Sequence, residues 1–189
     1  MDELKNKQIT DLHKPTIFYL VGLMGSGKTY LGRSLAKKND FLFIDLDKAI
    51  EEQEQLTINE IFEIKGQQFF RDIETETLQQ IRKKKTKDLQ KPIIIATGGG
   101  TACFNNNMVL MNNSGITIWL NENIEKIEHR VFSNKQKRPL LNTIADKDLL
   151  EYLDALLQSR KIFYAQSKYC FSGNEIAEKN LQIIINKYV

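Results

Sequence analysis

Apolar positions along the chain fall into two kinds of run. Four short runs are almost unbroken and rich in β-branched and aromatic residues: TIFYLVGL (16–23), FLFIDLD (41–47), PIIIATGGG (92–100) and GITIWL (115–120). Strands buried on both faces read this way. Between them, apolar residues recur at helical spacing. Leu31, Leu35 and Ala36 mark a helix over 28–38, and a long helical region over 48–87 is interrupted at Gly66. NIEKIEHRVF (123–132) and DKDLLEYLDALLQSRKIFYAQS (146–167) also read as helices, separated by the polar loop SNKQKRP. LQIIIN (181–186) reads as a last strand or the edge of a helix. Strands alternating with helices predict an α/β fold whose parallel sheet is covered on both faces, with ligands beyond the carboxyl ends of the strands. Three such ends carry unusual chemistry: the glycines after the first strand, Asp45 and Asp47 at the end of the second, and Gly98, Gly99 and Gly100 after the third.

Composition narrows this picture. A chain of 189 residues with 41% hydrophobic content fits a single cored domain, expected over 16–189 behind a loose polar extension at 1–15. The net charge of +3 is too small to suggest a nucleic-acid or membrane partner. No apolar segment approaches the ~18 residues of a membrane span, and the first 15 residues lack the apolar stretch of a signal peptide. The basic run RKKKTKD (82–88) reads as a solvated helix end, because no aromatic residue is near to stack a base. Cys103 and Cys170 have neither metal-ligand spacing nor a C-x-x-C arrangement. They read as small buried or half-buried thiols, which fits a reducing cytoplasm. A cytoplasmic monomer acting on a small molecule is the expectation.

The stretch after the first strand carries the sharpest chemistry. GLMGSGKT, Gly22 to Thr29, matches G-x-x-x-x-G-K-[ST] between a strand and a helix, the context that gives this motif meaning. Backbone N–H groups at Gly25, Ser26, Gly27, Lys28, Thr29 and Tyr30 can converge on phosphate oxygens, helped by the positive end of the helix. Lys28 would reach the β- and γ-phosphates and Thr29 would ligate Mg²⁺. ATP and Mg²⁺ are therefore the expected cofactors. A dinucleotide motif fails, because Tyr30 stands where its last glycine would be.

GLMGSGKTYLGRSLA, FIDLD, FRDIE, ATGGG, KRPLL and SRKIFY, taken in order, resemble the shikimate kinase family over most of the chain. The resemblance implies a three-layer α/β/α P-loop kinase fold with a central five-stranded parallel sheet. It implies transfer of the ATP γ-phosphate to the 3-hydroxyl of shikimate, on the route to the aromatic amino acids. On the matching positions, Asp47 contacts the ring hydroxyls and acts as base, and Arg71 and Arg160 clamp the substrate carboxylate. Gly98, Gly99 and Gly100 face substrate and γ-phosphate, Arg130 stacks on adenine, and Arg138, a catalytic residue in a lid over about 130–142, swings over the phosphates. The substrate-binding helices are implied over about 48–82.

The residue types suit these roles. Asp45 and Asp47 share a face of an ideal strand, and Mg²⁺ near Asp45, held through water, would relieve their repulsion beside phosphates. Asp47 could equally cap a helix. A guanidinium pairs two-pronged with a carboxylate, as lysine cannot, and Glu74, one helical turn from Arg71, can hold it. Phe62 and Phe70 suit a pocket wall or the core. Two departures from the family pattern stand out: Ile162 occupies the usual proline position of R-x-P-x-Y, and Tyr30 replaces a small hydroxyl residue. His13 and His129 read as surface or packing residues. The rival readings are a gluconate or nucleoside-monophosphate kinase of the same fold, and a non-catalytic ATP-binding relative.

Overall fold

The computed structural model describes residues 16–87, 91–133, 141 and 144–189. All of the 1–15 extension and most of the 130–142 lid, with His13 and Arg138, lie outside them. Strands β1 (Ile17–Val21), β2 (Leu42–Asp45), β3 (Ile93–Ala96), β4 (Ile116–Asn121) and β5 (Tyr169–Ser172) form one parallel sheet in the order β2-β3-β1-β4-β5. Tyr19 lies between Ile95 of β3 and Thr117 of β4, so β1 is central and its end lies at the middle of the sheet's carboxyl edge.

Helices cover both faces. These are α1 (Lys28–Asn39), α2 (Leu46–Glu54), α3 (Ile58–Lys87), α4 (Asn107–Ser114), α5 (Ile124–Phe132), α6 (Leu149–Tyr164) and α7 (Glu178–Ile185). The alternation of the strands sorts their side chains. Tyr19, Val21, Ile93, Ile95 and Trp119 pack with α2, α3, α4 and Tyr164. Phe18, Leu20, Ile94, Ile118 and Leu120 pack against Leu31 and Leu35 of α1 and Leu181, Ile184 and Ile185 of α7. The central strands are apolar at nearly every position because both faces are buried, Thr117 and Asn121 of β4 being the exceptions. A third cluster joins Leu23 to Ile127 and Val131 of α5, Leu141, and Leu149 and Leu153 of α6. It seats the start of the glycine-rich loop on α5.

Three readings of the sequence are corrected here. The second strand stops at Asp45, and Asp47 lies in the first turn of α2, so the two carboxylates do not share a strand face. Of the two readings of LQIIIN the strand fails and the helix holds: it is the C-terminal part of α7, with Leu181, Ile184 and Ile185 inside and Ile183 outside. The fifth strand is YCFS instead. Cys103 is half-buried as expected, but Cys170, on that edge strand, is exposed.

α3 carries the interruption read at Gly66, whose backbone (φ 81°, ψ 171°) is far from helical. The break redirects the chain so that Phe70, Arg71 and Glu74 face the carboxyl edge of the sheet.

Candidate active site

The loop after β1 wraps the N-terminus of α1. Gly27 caps that helix at φ 98°, a left-handed conformation that a side chain strains. The Lys28 side chain is buried and folds back over the loop. Its ammonium donates to the carbonyls of Gly22 and Leu23, both at 2.9 Å, and meets Ser26 Oγ at 3.5 Å. The cation thus sits inside the loop on carbonyl and hydroxyl acceptors that an anion can replace. Ser26 is also buried. The Tyr30 ring is 79% exposed, so only its backbone is presented to the loop.

Thr29 and Asp45 come together as the sequence suggested: Thr29 Oγ1 donates to Asp45 Oδ2 at 2.8 Å. The other Asp45 oxygen accepts from the Lys48 backbone at 3.4 Å and caps α2. The cap is therefore Asp45, where Asp47 was the candidate. A hydroxyl and one carboxylate are hard oxygen donors suited to Mg²⁺ completed by phosphate and water. Among the described residues no group of three or more His, Cys, Asp or Glu side chains could hold a metal. The donor set accordingly fits a cation shared with phosphates better than an all-protein cage.

Asp47 projects under the triple glycine. A Cβ on Gly98 would lie 2.7 Å from Asp47 Oδ1, 2.9 Å from Glu74 Oε1 and 3.0 Å from Thr101 Oγ1, so three oxygens crowd one point. Burial, with help from the Glu74 and Asp45 charges, pushes the Asp47 carboxyl up to about 6, while Lys28 pulls it down. A carboxylate poised there is ionised at neutral pH yet basic enough to accept a proton.

Arg71 is held from several sides. Its Nη1 donates to Glu74 Oε2 at 2.7 Å, an ion pair with almost no solvent exposure. Phe104 lies 4.2 Å and Phe70 4.9 Å from the guanidinium carbon. A Cβ on Gly100 would come within 3.0 Å of both terminal nitrogens, so bare backbone lets the guanidinium approach. Arg71 Nε is buried and has no hydrogen-bond partner among the described residues. Arg160 reaches the same loop from α6, donating from Nη1 to the Gly99 carbonyl at 3.1 Å. The buried Tyr164 hydroxyl donates to that same carbonyl. Ile162, the departure from the family pattern, is 70% exposed on the far side of a continuous α6, and Arg160 still faces the cleft.

These groups line one cleft of about 590 Å³, with Asp45, Asp47, Phe62, Phe70, Arg71, Glu74, the triple glycine, Arg130 and Arg160 on its walls. Phe62 both lines it and packs on the core. Arg130, in the last turn of α5, donates to the Gly25 carbonyl at 2.9 Å and pairs with Glu122 at 3.0 Å, which places it at the rim of the glycine-rich loop. His129 is exposed, as expected. Sequence reasoning missed Lys48, Glu51, Asn59, Thr101 and Phe104. Thr101 had one available signal, its position directly after the glycines.

Comparison with known proteins gives a consistent result. The family model described as shikimate kinase matches residues 24–188. A shikimate kinase of Bacteroides thetaiotaomicron is 36% identical over 161 residues, 85% of this chain and 89% of that one. The crystal structure of shikimate kinase from that organism superposes with a TM-score of 0.82 at 34% identity, covering 90% of this chain and 98% of that one. A shikimate kinase of Acinetobacter baumannii, solved in complex with shikimate, superposes with a TM-score of 0.80 at 31% identity, covering 95% and 98%.

Proposed function

We propose, for a chain that belongs to the shikimate kinase family, a mechanism that joins phosphate and alcohol at the carboxyl ends of β1, β2 and β3. The activity is transfer of the ATP γ-phosphate to the 3-hydroxyl of shikimate. The loop from Gly25 to Tyr30 binds the triphosphate through its N–H groups, and Lys28 leaves its carbonyl partners for the β- and γ-phosphates. Thr29 and Asp45 would hold Mg²⁺, which would offset charge on the phosphates. Arg130 borders the adenine. On the other side, Arg71 and Arg160, both on the cleft wall, take the substrate carboxylate, and Gly98 to Gly100 let the ring lie close. Asp47 accepts the hydroxyl proton as that oxygen bonds to the γ-phosphorus and the bond to the ADP oxygen breaks. Positioning and electrostatics supply the acceleration.

One observation carries this reading. Gly99 touches both halves: a Cβ there would lie 3.1 Å from Met24 N of the phosphate loop and 3.4 Å from Arg160 Nη1 of the clamp. Residues 16–189 then work as one kinase domain. The same proposal has the protein acting as a cytoplasmic monomer, supported by the small net charge and the free thiols. No helix among the described residues is long and apolar enough to cross a membrane.

The deciding assay offers shikimate, gluconate and AMP separately with ATP and Mg²⁺ and follows ADP release. Release with shikimate alone is expected; release only with gluconate or AMP overturns the substrate assignment. A pH series tests the base. With Asp47 near 6, kcat/KM for shikimate at saturating nucleotide and Mg²⁺ should be almost flat above pH 7. It should fall about tenfold per unit well below the midpoint, as Asp47 becomes protonated. A midpoint below about 5, in the ordinary carboxylate range, counts against Asp47 as the base.

A further inference from the structure

Thr101 opens the turn that follows the triple glycine. It is fully buried, and its hydroxyl donates to Glu74 Oε1. The other Glu74 oxygen accepts from Arg71 Nη1. Glu74, itself without exposed surface, therefore stands between two donors, one on each oxygen. Burial raises the carboxyl of Glu74, while Arg71, the Thr101 hydroxyl and Arg160 pull it back. Oε1 is also the oxygen that crowds Gly98 together with Asp47 Oδ1. Without a donor there, a buried carboxylate faces another carboxylate, and taking up a proton or turning away becomes its cheapest relief. Either change weakens the hold of Glu74 on Arg71 Nη1 and lets the guanidinium turn.

We propose that Thr101 is a positioning residue for substrate binding: its hydroxyl fixes the orientation of Glu74, so that Arg71, held through Nη1, keeps its guanidinium turned toward the carboxylate of the substrate. The rest of the turn supports the same arginine. Phe104 covers its guanidinium, and Asn105 Nδ2 donates to the Arg71 carbonyl at 3.0 Å. Thr101 acts on the ring acid and not on the nucleotide: among the described residues its hydrogen bonds run to Glu74 and to the Gly98 carbonyl, not to the phosphate loop. This inference rests on the reading that Arg71 holds the substrate carboxylate.

The test compares Thr101→Val, Thr101→Ser and Arg71→Ala, using shikimate and its methyl ester as substrates. Thr101→Val, which keeps shape and removes the hydroxyl, should raise KM for shikimate about tenfold, the cost of a lost hydrogen bond to a charged group. Its kcat and KM for ATP should stay within about twofold of the parent. Thr101→Ser should keep parental values. With the methyl ester, whose carboxyl carries no charge, the Thr101→Val enzyme and the parent should have the same KM, which a general packing defect would not produce. If Arg71→Ala leaves KM for shikimate unchanged, the reading of Arg71 fails and this inference with it. If Arg71→Ala raises KM, three results overturn the Thr101 inference alone: an unchanged KM in Thr101→Val, an equal penalty on the ester, or a tenfold rise in Thr101→Ser. Should the valine variant not fold, Thr101→Ala, which also lacks the hydroxyl, is held to the same expectations.

Discussion

Asp47→Asn is expected to lower kcat at least about a hundredfold and, at the same time, to make the ligand-free protein more stable. The loss in rate follows from the base: an amide cannot accept the hydroxyl proton, and general-base assistance is worth about 10²–10⁴. The gain in stability follows from the same environment. Burial and the neighbouring Glu74 and Asp45 charges raise the folded carboxyl to about 6, above the ~3.9 of an unfolded aspartate. A raised carboxyl means that the folded state binds the proton more tightly, so stability falls as pH climbs through the window from about 4 to about 6 and stays lowered above it. At pH 7 the ionised side chain costs about 1–3 kcal/mol. Asparagine removes that cost and should raise Tm by roughly 3–10 °C. Below about pH 4 both states carry the proton and the advantage should vanish. Thermal melts of the two proteins at pH 7 and pH 4, beside single-turnover assays, check both halves. A variant that turns over near-normally, or that is less stable at pH 7 than the parent, removes Asp47 from this role.

How far the chain could be read without coordinates depended on whether the determining contact was local. The phosphate loop was legible because its requirement is local: backbone donors need glycines at fixed spacing before a helix. β1, β3 and β4 were legible because central strands are buried on both faces, so nearly every position is apolar. β5 escaped because an edge strand of four residues, half-buried and exposed by turns, presents only two inward side chains. LQIIIN misled because three consecutive isoleucines fit either period. Only packing against α1 selects Leu181, Ile184 and Ile185 as one helical face. The boundary after β2 was missed because Asp45 looks like a strand residue until its carboxylate is seen accepting from the Lys48 N–H. For the site, Lys28, Thr29, Asp45, Asp47, Arg71 and Arg160 were named from motifs and meet around one cleft or its adjoining loop. Thr101 and Phe104 were not, because their value lies in what α3 presents to them some thirty residues away in the chain, and no spacing rule encodes that.

Lys28→Met should produce the second large loss, at least about a hundredfold in kcat, equal to about 2.7 kcal/mol of transition-state stabilisation. The ligand-free structure shows why methionine is the informative choice. The Lys28 ammonium is already inside the loop, bonded to the Gly22 and Leu23 carbonyls, and the chain up to it is buried. Methionine keeps the stem and its packing while removing the charge. Two consequences separate. In the ligand-free protein the two carbonyls lose a charged donor, and stability should fall by about 1.5–3 kcal/mol. With nucleotide, the loop loses the cation that exchanges those carbonyls for phosphate oxygens, and the stabilisation given by ATP should shrink. The parent at 100 times its Kd gains about 2.7 kcal/mol, whereas the variant at the same ATP concentration should show little shift in Tm. Observing the stability loss with an undiminished ATP shift would make Lys28 a structural strut of the loop. Observing a collapsed ATP shift with a hundredfold slower turnover assigns it to the phosphates. Those two outcomes differ because the same ammonium cannot satisfy the Gly22 and Leu23 carbonyls and the triphosphate fully at once, so the energy it gives the empty loop opposes nucleotide binding.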